Sequence, residues 1–226
     1  MLSWLFRPQC AACGTAASSL CEACASTLLE LGPACPRCAE PTAGGAVCAR
    51  CRSAPLPLET ILSPWRFGGQ LASAIRRLKF AQRAHVARDL APLWSPLVAA
   101  AASAYDALVV PIPLHWRRRF RRGYDHAWLL AIHACAAAGI APPRQVLRRI
   151  APARPQSTLS AAERRANLEG AFVVRDPRAI AGRAIVIVDD VVTTGATLAA
   201  ATRPLLAAGA TTVIGVALAR ATSAPG

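Results

Sequence analysis

The sequence predicts an α/β protein whose mostly parallel sheet carries flanking helices, behind a small N-terminal cysteine-rich domain. Two apolar runs, over residues 106–113 and 185–188, are typical of buried parallel strands. A turn of small residues and an Ala- and Leu-rich helix follow the second run. Eight of the nine cysteines lie between positions 10 and 51. Pro55-Leu56-Pro57 is typical of a linker, so we divide the chain into domains over residues 1–55 and 56–226.

The cysteines of the first domain form four Cys-x-x-Cys pairs. They are Cys10 and Cys13, Cys21 and Cys24, Cys35 and Cys38, and Cys48 and Cys51. Two such pairs complete a tetrahedral thiolate site, so four pairs predict two structural Zn²⁺ ions. Sequential pairing is preferred over crossed or nested pairing, because it closes short loops of 7 and 9 residues. A disulfide framework and iron–sulfur ligation are the alternatives.

This first domain has few bulky apolar residues, so metal binding is expected to supply its folding free energy. In the second domain, residues 61–67 predict a strand and residues 69–80 a helix that buries Leu71, Ile75 and Leu78. Residues 84–102 predict a helix interrupted at its prolines. Cys135 lies in an Ala-rich helical run, where a small core residue is expected.

The later elements follow the same reasoning. Residues 106–113 predict a strand that stops at its prolines, and residues 146–150 predict another. A polar segment over residues 148–159 follows, and Ser160 and Glu163 have the spacing of a capping box that begins a helix.

Two adjacent acids, Asp189 and Asp190, end the apolar run at 185–188, and a Thr-Thr-Gly-Ala-Thr turn follows them. Open α/β sheets bind ligands at the carboxyl ends of their strands. A helix N-terminus with unshielded backbone N–H groups favours a phosphate. The acids repel phosphate, so we expect them to serve ribose hydroxyls or Mg²⁺ instead. The stretch therefore fits a phosphorylated sugar, and an ordinary acidic strand–turn–helix is the alternative.

Residues 115–126 concentrate arginine beside aromatic side chains. Five arginines fall within six positions before Gly123, and Trp116, Phe120 and Tyr124 flank them. We expect this segment to form a turn at the same sheet edge as the acidic pair. Its cations suit pyrophosphate or a nucleic-acid backbone, and its aromatic rings suit base stacking. A solvated basic face is the alternative.

The acidic pair and its turn resemble the phosphoribosyl-diphosphate (PRPP) signature of type I phosphoribosyltransferases. The resemblance implies that Asp189 and Asp190 hold the ribose 2′- and 3′-hydroxyls and that Mg²⁺ arrives with PRPP. The residues implied for the 5′-phosphate are Thr193, Thr194, Gly195, Ala196 and Thr197. A mobile lid is also implied, whose candidate contacts are Arg154, Gln156, Arg164 and Asn167.

The ordered set of motifs resembles the ComF family, whose members are phosphoribosyltransferase-like proteins, some of them associated with DNA uptake in natural competence. The resemblance rests on the four Cys-x-x-Cys pairs, Leu78-Lys79-Phe80, Val110-Pro111-Ile112-Pro113-Leu114, Arg122-Gly123, Gln156-Ser157-x-Leu159 and Arg164-x-x-Asn167. The chain departs from the family after Gly123. The usual Phe-Asn-Gln is Tyr124-Asp125-His126, which replaces two neutral amides by an acid and a titratable imidazole.

Two functions stay open at this point. In the first, an enzyme, the two acids fix the ribose while Lys79 and Arg122 neutralise the departing pyrophosphate. In the second, a binding module senses PRPP or a nucleotide and holds single-stranded DNA or a protein partner. The formal charge of +14 favours polyanions, although a solvated basic surface is the alternative. Lys79 is the single lysine, a weak hint that an ammonium is wanted there, and chance occurrence is the alternative.

The expected partners are PRPP, single-stranded DNA, and a competence helicase or other DNA-processing protein. The longest apolar stretch, residues 90–110, contains Pro92, Pro96 and Asp106 and is rich in Ala and Ser. It is unsuited to the span of about 20 apolar residues that a membrane helix needs. We therefore expect no membrane insertion and a cytoplasmic location.

Overall fold

The computed structural model describes residues 9–17, 19–80, 83–150 and 170–222. Their strands, in chain order, are β1 (Thr60–Leu62), β2 (Trp65–Arg66), β3 (Leu108–Pro111), β4 (Leu147–Arg149), β5 (Phe172–Val174), β6 (Ala184–Val192) and β7 (Thr212–Arg220). The central sheet has the order β1-β7-β6-β3, with β2 also paired to β7, and its pairings are parallel. An antiparallel β4–β5 pair forms a separate sheet. The α/β prediction is confirmed.

Eight α-helices lie within the described residues. They are α1 (Glu22–Ala25), α2 (Ala49–Ser53), α3 (Gly69–Phe80), α4 (Val86–Leu90), α5 (Ser95–Ala104), α6 (Trp116–Arg122), α7 (His126–Ala138) and α8 (Ala196–Ala207). Helix α3 has the predicted bounds, and its Leu71, Ile75 and Leu78 are buried on one face. The predicted helix over 84–102 breaks into α4, a 3₁₀ turn and α5, and prolines begin the last two, where a missing N–H costs nothing. No helix of the described part is long and apolar enough to cross a membrane.

Two strand predictions need correction. The strand expected over residues 61–67 is divided into β1 and β2 at Ser63-Pro64, because proline has no N–H to continue the ladder. The acidic pair does not follow β6 but lies inside it. Strand β6 pairs with β7 as far as Val192 opposite Arg220, so backbone pairing carries the strand past Asp189 and Asp190.

The arginine-rich segment is also corrected, from a turn to helix α6. The His115 Nδ1 accepts a hydrogen bond from the Arg117 N–H at 3.3 Å, and Gly123, at a φ of 83°, ends the helix. Arginine is itself a strong helix former. None of the α6 residues is buried, so the helix presents its cations to solvent.

The core consists of two apolar clusters on opposite faces of the sheet, as the alternation of β6 requires. Val186 and Val188 lie in the first cluster, with α3, α5 and α7, whereas Ile185 and Ile187 lie in the second, with α8. Cysteines belong to both clusters. Cys10 and Cys24 lie in the first, and Cys35, Cys38 and Cys51 lie in the second. The proposed boundary after residue 55 therefore passes through two shared cores.

Candidate functional site

A cleft of about 220 Å³ opens where the carboxyl ends of β3 and β6 meet. These strands are neighbours, with Val110 opposite Ile187 and Pro111 opposite Val188, so the residues that follow β3 face the acids of β6. The end of α3 and the first turn of α7 complete the walls. The charged and polar lining residues are Lys79, Arg118, Arg122, His126, Arg149, Asp189, Asp190 and Thr197.

A chain of polar side chains crosses the floor of this cleft. The Lys79 Nζ forms an ion pair with Asp190 Oδ2, and the His126 Nε2 lies 3.6 Å from the same oxygen. The other ring nitrogen of His126, Nδ1, lies 2.8 Å from the Arg122 Nη1. Asp190 is only 3% exposed. Three residues predicted for the site, Lys79, Arg122 and Asp190, are thus brought together, with His126 between two of them.

The two acids are electrostatically unequal. Burial raises the pKa of Asp190, but the Lys79 ammonium and the hydrogen bond from His126 outweigh it and hold that pKa far below its usual range. The pKa of Asp189 is raised well above its usual range, mainly by burial and to a smaller extent by repulsion from Asp190. The Asp190 N–H donates to Asp189 Oδ1 at 2.9 Å. Asp190 is therefore the permanent anion of the pair, and Asp189 is the acid that takes up a proton more readily.

The Thr-Thr-Gly-Ala-Thr turn connects β6 to the N-terminus of α8. Gly195 has a φ of 78°, and a Cβ there would lie 2.9 Å from methyl carbons of both Ile61 and Leu56. The Thr194 Oγ1 accepts from the Ala196 N–H at 3.3 Å, while Thr197 reaches the lining of the cleft. The turn and the free N–H groups of α8 form a cradle suited to an anion.

Asp125 and His126, which depart from the family pattern, have separate places. Asp125 Oδ1 accepts from the N–H groups of Ala127 and Trp128, at 3.1 and 3.3 Å, and its Oδ2 accepts from the Leu114 N–H at 2.9 Å. Asp125 therefore caps α7 and fixes the segment after β3. His126 instead faces Asp190. Sequence reasoning noted both residues without giving either a role.

Three further residues of the cleft were missed. Arg118 was hidden within the arginine run, and Arg149 in the strand before the polar segment. Phe80, 76% exposed, lies under the Arg122 guanidinium, whose Cζ is 5.3 Å from the ring centre. Its place beside Lys79 in the Leu-Lys-Phe motif was the available signal. The predicted lid contacts Arg154, Gln156, Arg164 and Asn167, and the helix predicted from Ser160, lie outside the described residues.

The cysteines form two four-sulfur clusters, Cys10, Cys13, Cys21 and Cys24, and Cys35, Cys38, Cys48 and Cys51. Within each cluster the sulfur atoms lie within 4.8 Å of one another, so the preferred sequential pairing is confirmed. Burial raises the pKa of Cys10, but backbone N–H groups outweigh it and lower that pKa to about 6. Burial and the neighbouring thiols raise the pKa of Cys24 to about 12. A bound cation relieves this crowding, as a structural Zn²⁺ site requires.

Two arginines tie these clusters to the body. The Arg77 guanidinium donates to the carbonyls of Cys10 and Cys13 at 3.4 and 3.3 Å, two residues before Lys79 on α3. The fully buried Arg220, at the end of β7, donates to the Cys38 carbonyl at 2.8 Å and pairs with Glu40. The clusters are therefore part of the framework that holds the cleft.

Two segments of the chain match family models of known proteins. Residues 1–52 match the family model of a double zinc ribbon domain, and residues 130–225 match that of a phosphoribosyl transferase domain. The DNA utilization protein YhgH of Salmonella typhimurium is 34% identical over 199 residues, covering 86% of this chain and 87% of that protein. Competence protein ComFC of Bacillus subtilis is 30% identical over 84% of this chain and 79% of its own. Competence protein F of Haemophilus influenzae is 33% identical over 133 residues, which cover 57% of this chain and 58% of that protein.

Proposed function

The chain belongs to the ComF family, whose double zinc ribbon precedes a phosphoribosyltransferase domain, and from this premise we propose that its cleft binds PRPP with Mg²⁺. One observation carries the proposal: a single cleft combines the acids of β6, the Thr197 end of the small-residue turn, and the cations Lys79 and Arg122. The relatives are named for DNA utilization and competence, so we also propose that this chain acts in the handling of DNA.

The charge distribution of the cleft supports this ligand. Asp190 stays ionised and accepts hydrogen bonds from ribose hydroxyls, which are donors. The N–H groups at the start of α8 receive the 5′-phosphate. Lys79, which pairs with Asp190, lines the same cleft as Arg118 and Arg122, and these three cations neutralise the pyrophosphate. Transfer and sensing, the two functions that the sequence leaves open, share this binding step.

Titration calorimetry with PRPP and Mg²⁺ tests the proposal. We expect heat of binding from the native chain and an affinity roughly two- to tenfold lower for Asp189→Asn, because a hydrogen bond between uncharged groups contributes about 0.5–1.5 kcal/mol. Asp106→Asn is the matched control, since Asp106 is exposed and its φ of 45° suits asparagine. Absence of heat from the native chain, or an equal loss in the control, would reject the site.

A second candidate function, binding of single-stranded DNA, is supported by α6. The helix carries five arginines with Trp116 and Phe120, which are 61% and 86% exposed. Proteins that bind single strands combine such cations with aromatic rings on which bases stack. We include a competence helicase or other DNA-processing protein as a proposed partner of the same surface, since the relatives are named for DNA utilization and for competence.

The salt dependence of oligonucleotide binding tests this second candidate. The affinity of the native chain is expected to fall steeply with salt, and Arg117→Gln/Arg121→Gln is expected to flatten the log–log slope by about 1.4. Phe120→Ala should weaken binding by about 1–3 kcal/mol at unchanged slope, because stacking carries no charge. Arg76→Gln/Arg178→Gln changes the net charge equally at exposed residues that do not belong to α6. A slope that falls as much in this control would contradict a site on α6.

A further inference from the structure

A second pocket adjoins the cleft on the side of the β4–β5 pair, and we call it the tryptophan pocket. Its volume is about 190 Å³, smaller than the ~300–1,000 Å³ of sites for drug-sized ligands. It shares Pro113, Leu114 and Arg149 with the cleft but contains neither acid of β6 nor any residue of the phosphate turn. The residues that define its chemistry are Trp116, Trp128, Arg119, Arg148, Arg149 and Arg175.

The electrostatic character of this pocket is positive. Its single acidic lining residue is Asp125, and both oxygens of that carboxylate already accept backbone N–H groups. Arg119, Arg148 and Arg175 are exposed, and none of the three forms an ion pair with another described residue. The pocket therefore presents guanidinium groups whose hydrogen-bonding capacity is not used by the acids of the described chain.

Aromatic and guanidinium groups together specify a class of ligand. Indole rings stack on planar heterocycles, and a guanidinium binds phosphate oxygens through two parallel hydrogen bonds. We propose that the tryptophan pocket binds a nucleoside 5′-monophosphate, with its base against Trp116 and Trp128 and its phosphate at the exposed rim with Arg148 and Arg175. The nucleotide is either free or one residue of a single strand. This site is additional to the PRPP cleft and does not depend on PRPP binding.

Calorimetry with adenosine 5′-monophosphate and its two halves tests each part of the pocket. Arg148→Gln/Arg175→Gln is expected to weaken binding of the monophosphate at least tenfold, because a charge-assisted hydrogen bond contributes more than about 1.4 kcal/mol. The same variant should leave adenosine binding unchanged, whereas Trp116→Ala should weaken both ligands. Arg76→Gln/Arg178→Gln is again the matched control. A monophosphate that gives no heat, or an equal loss in the control, would overturn the proposal.

The two neighbouring sites are distinguished by testing the variant of each site with the ligand of the other. Asp189→Asn should leave monophosphate binding unchanged, and Arg148→Gln/Arg175→Gln should leave PRPP binding unchanged. If Asp189→Asn abolishes monophosphate binding while the pocket variants retain it, the nucleotide occupies the cleft and the proposal is wrong. If an oligothymidylate displaces the monophosphate from the native chain, and Arg148→Gln/Arg175→Gln abolishes this competition, the ligand is a residue of a single strand. Simultaneous binding of both identifies the free nucleotide.

Discussion

Removal of the metal by a chelator is expected to unfold the body of the chain together with its cysteine-rich head. Cys10 and Cys24 are core residues against α3, and Cys35, Cys38 and Cys51 are core residues on the other face of the sheet. A structural Zn²⁺ ion contributes about 10–16 kcal/mol in small domains, as much as the whole stability of a typical protein. Loss of only about 3 kcal/mol corresponds to a fall in Tm of about 6–12 °C at this size.

The buried Trp94, which packs in the first core, provides a reporter inside the body. When the metal is removed, the near-ultraviolet circular dichroism of Trp94 should disappear. The far-ultraviolet signal of the helices and strands should be lost at the same chelator concentration. Metal analysis should give two Zn²⁺ per native chain and one in Cys38→Ser. Cys135→Ala, a buried cysteine outside both clusters, should retain two. A body transition that is unchanged after complete metal removal would show that the cores are independent of the clusters.

Substitution of the two adjacent acids is expected to change stability in opposite directions. Asp190→Asn removes the partner of Lys79, a side chain only 25% exposed, and loss of one member of a buried pair costs roughly 3–5 kcal/mol. Asp189→Asn removes a charge disfavoured by burial and by Asp190, yet its amide oxygen still accepts the Asp190 N–H. We therefore expect Asp189→Asn to keep or raise Tm while weakening PRPP binding.

The pH dependence of Tm checks the assignment of charge within the pair. The pKa of Asp189 is raised, so its stabilising contribution is present below its unfolded pKa and is lost as pH rises through the folded value. The pKa of Asp190 is lowered, so its contribution is present above the unfolded pKa of about 3.9 and is lost only in strong acid. As pH rises above the unfolded pKa of about 3.9, native Tm should therefore fall more than that of Asp189→Asn. Parallel curves for these two proteins, with Asp106→Asn as the control, would contradict the assignment.

Local patterns made much of the fold predictable. The periodicity of α3 gave its bounds, the apolar run gave β6, and the repeated Cys-x-x-Cys spacing gave both clusters. The residue at which a helix or strand ends depends on its contacts with neighbouring elements, and a local sequence pattern does not contain that information. Strand β6 continues through its acids because β7 pairs with it, and the arginine run is helical because of its capping residues.

Part of the candidate site was predictable and part was not. The acids and the turn follow each other in sequence, and the lone lysine pointed to position 79. The contact of His126 with Asp190 joins residues that are far apart in the chain and are brought together only by the pairing of β3 with β6. Arg149 likewise reaches the cleft through tertiary packing. The roles proposed for Arg154, Gln156, Arg164 and Asn167 stay predictions.

The strand order has a consequence for how the chain is made on the ribosome. Strand β7 lies between β1 and β6, and its last residue, Arg220, holds the Cys38 carbonyl. The ribosome synthesises the cysteines of residues 10–51 before β7, the strand that completes their packing. Contacts over such separations form slowly, since the loop must close before they are gained. During translation the nascent chain therefore exposes metal-free thiols and unpaired strand edges, which favour aggregation. We expect early metal binding by the cysteines to reduce this exposure.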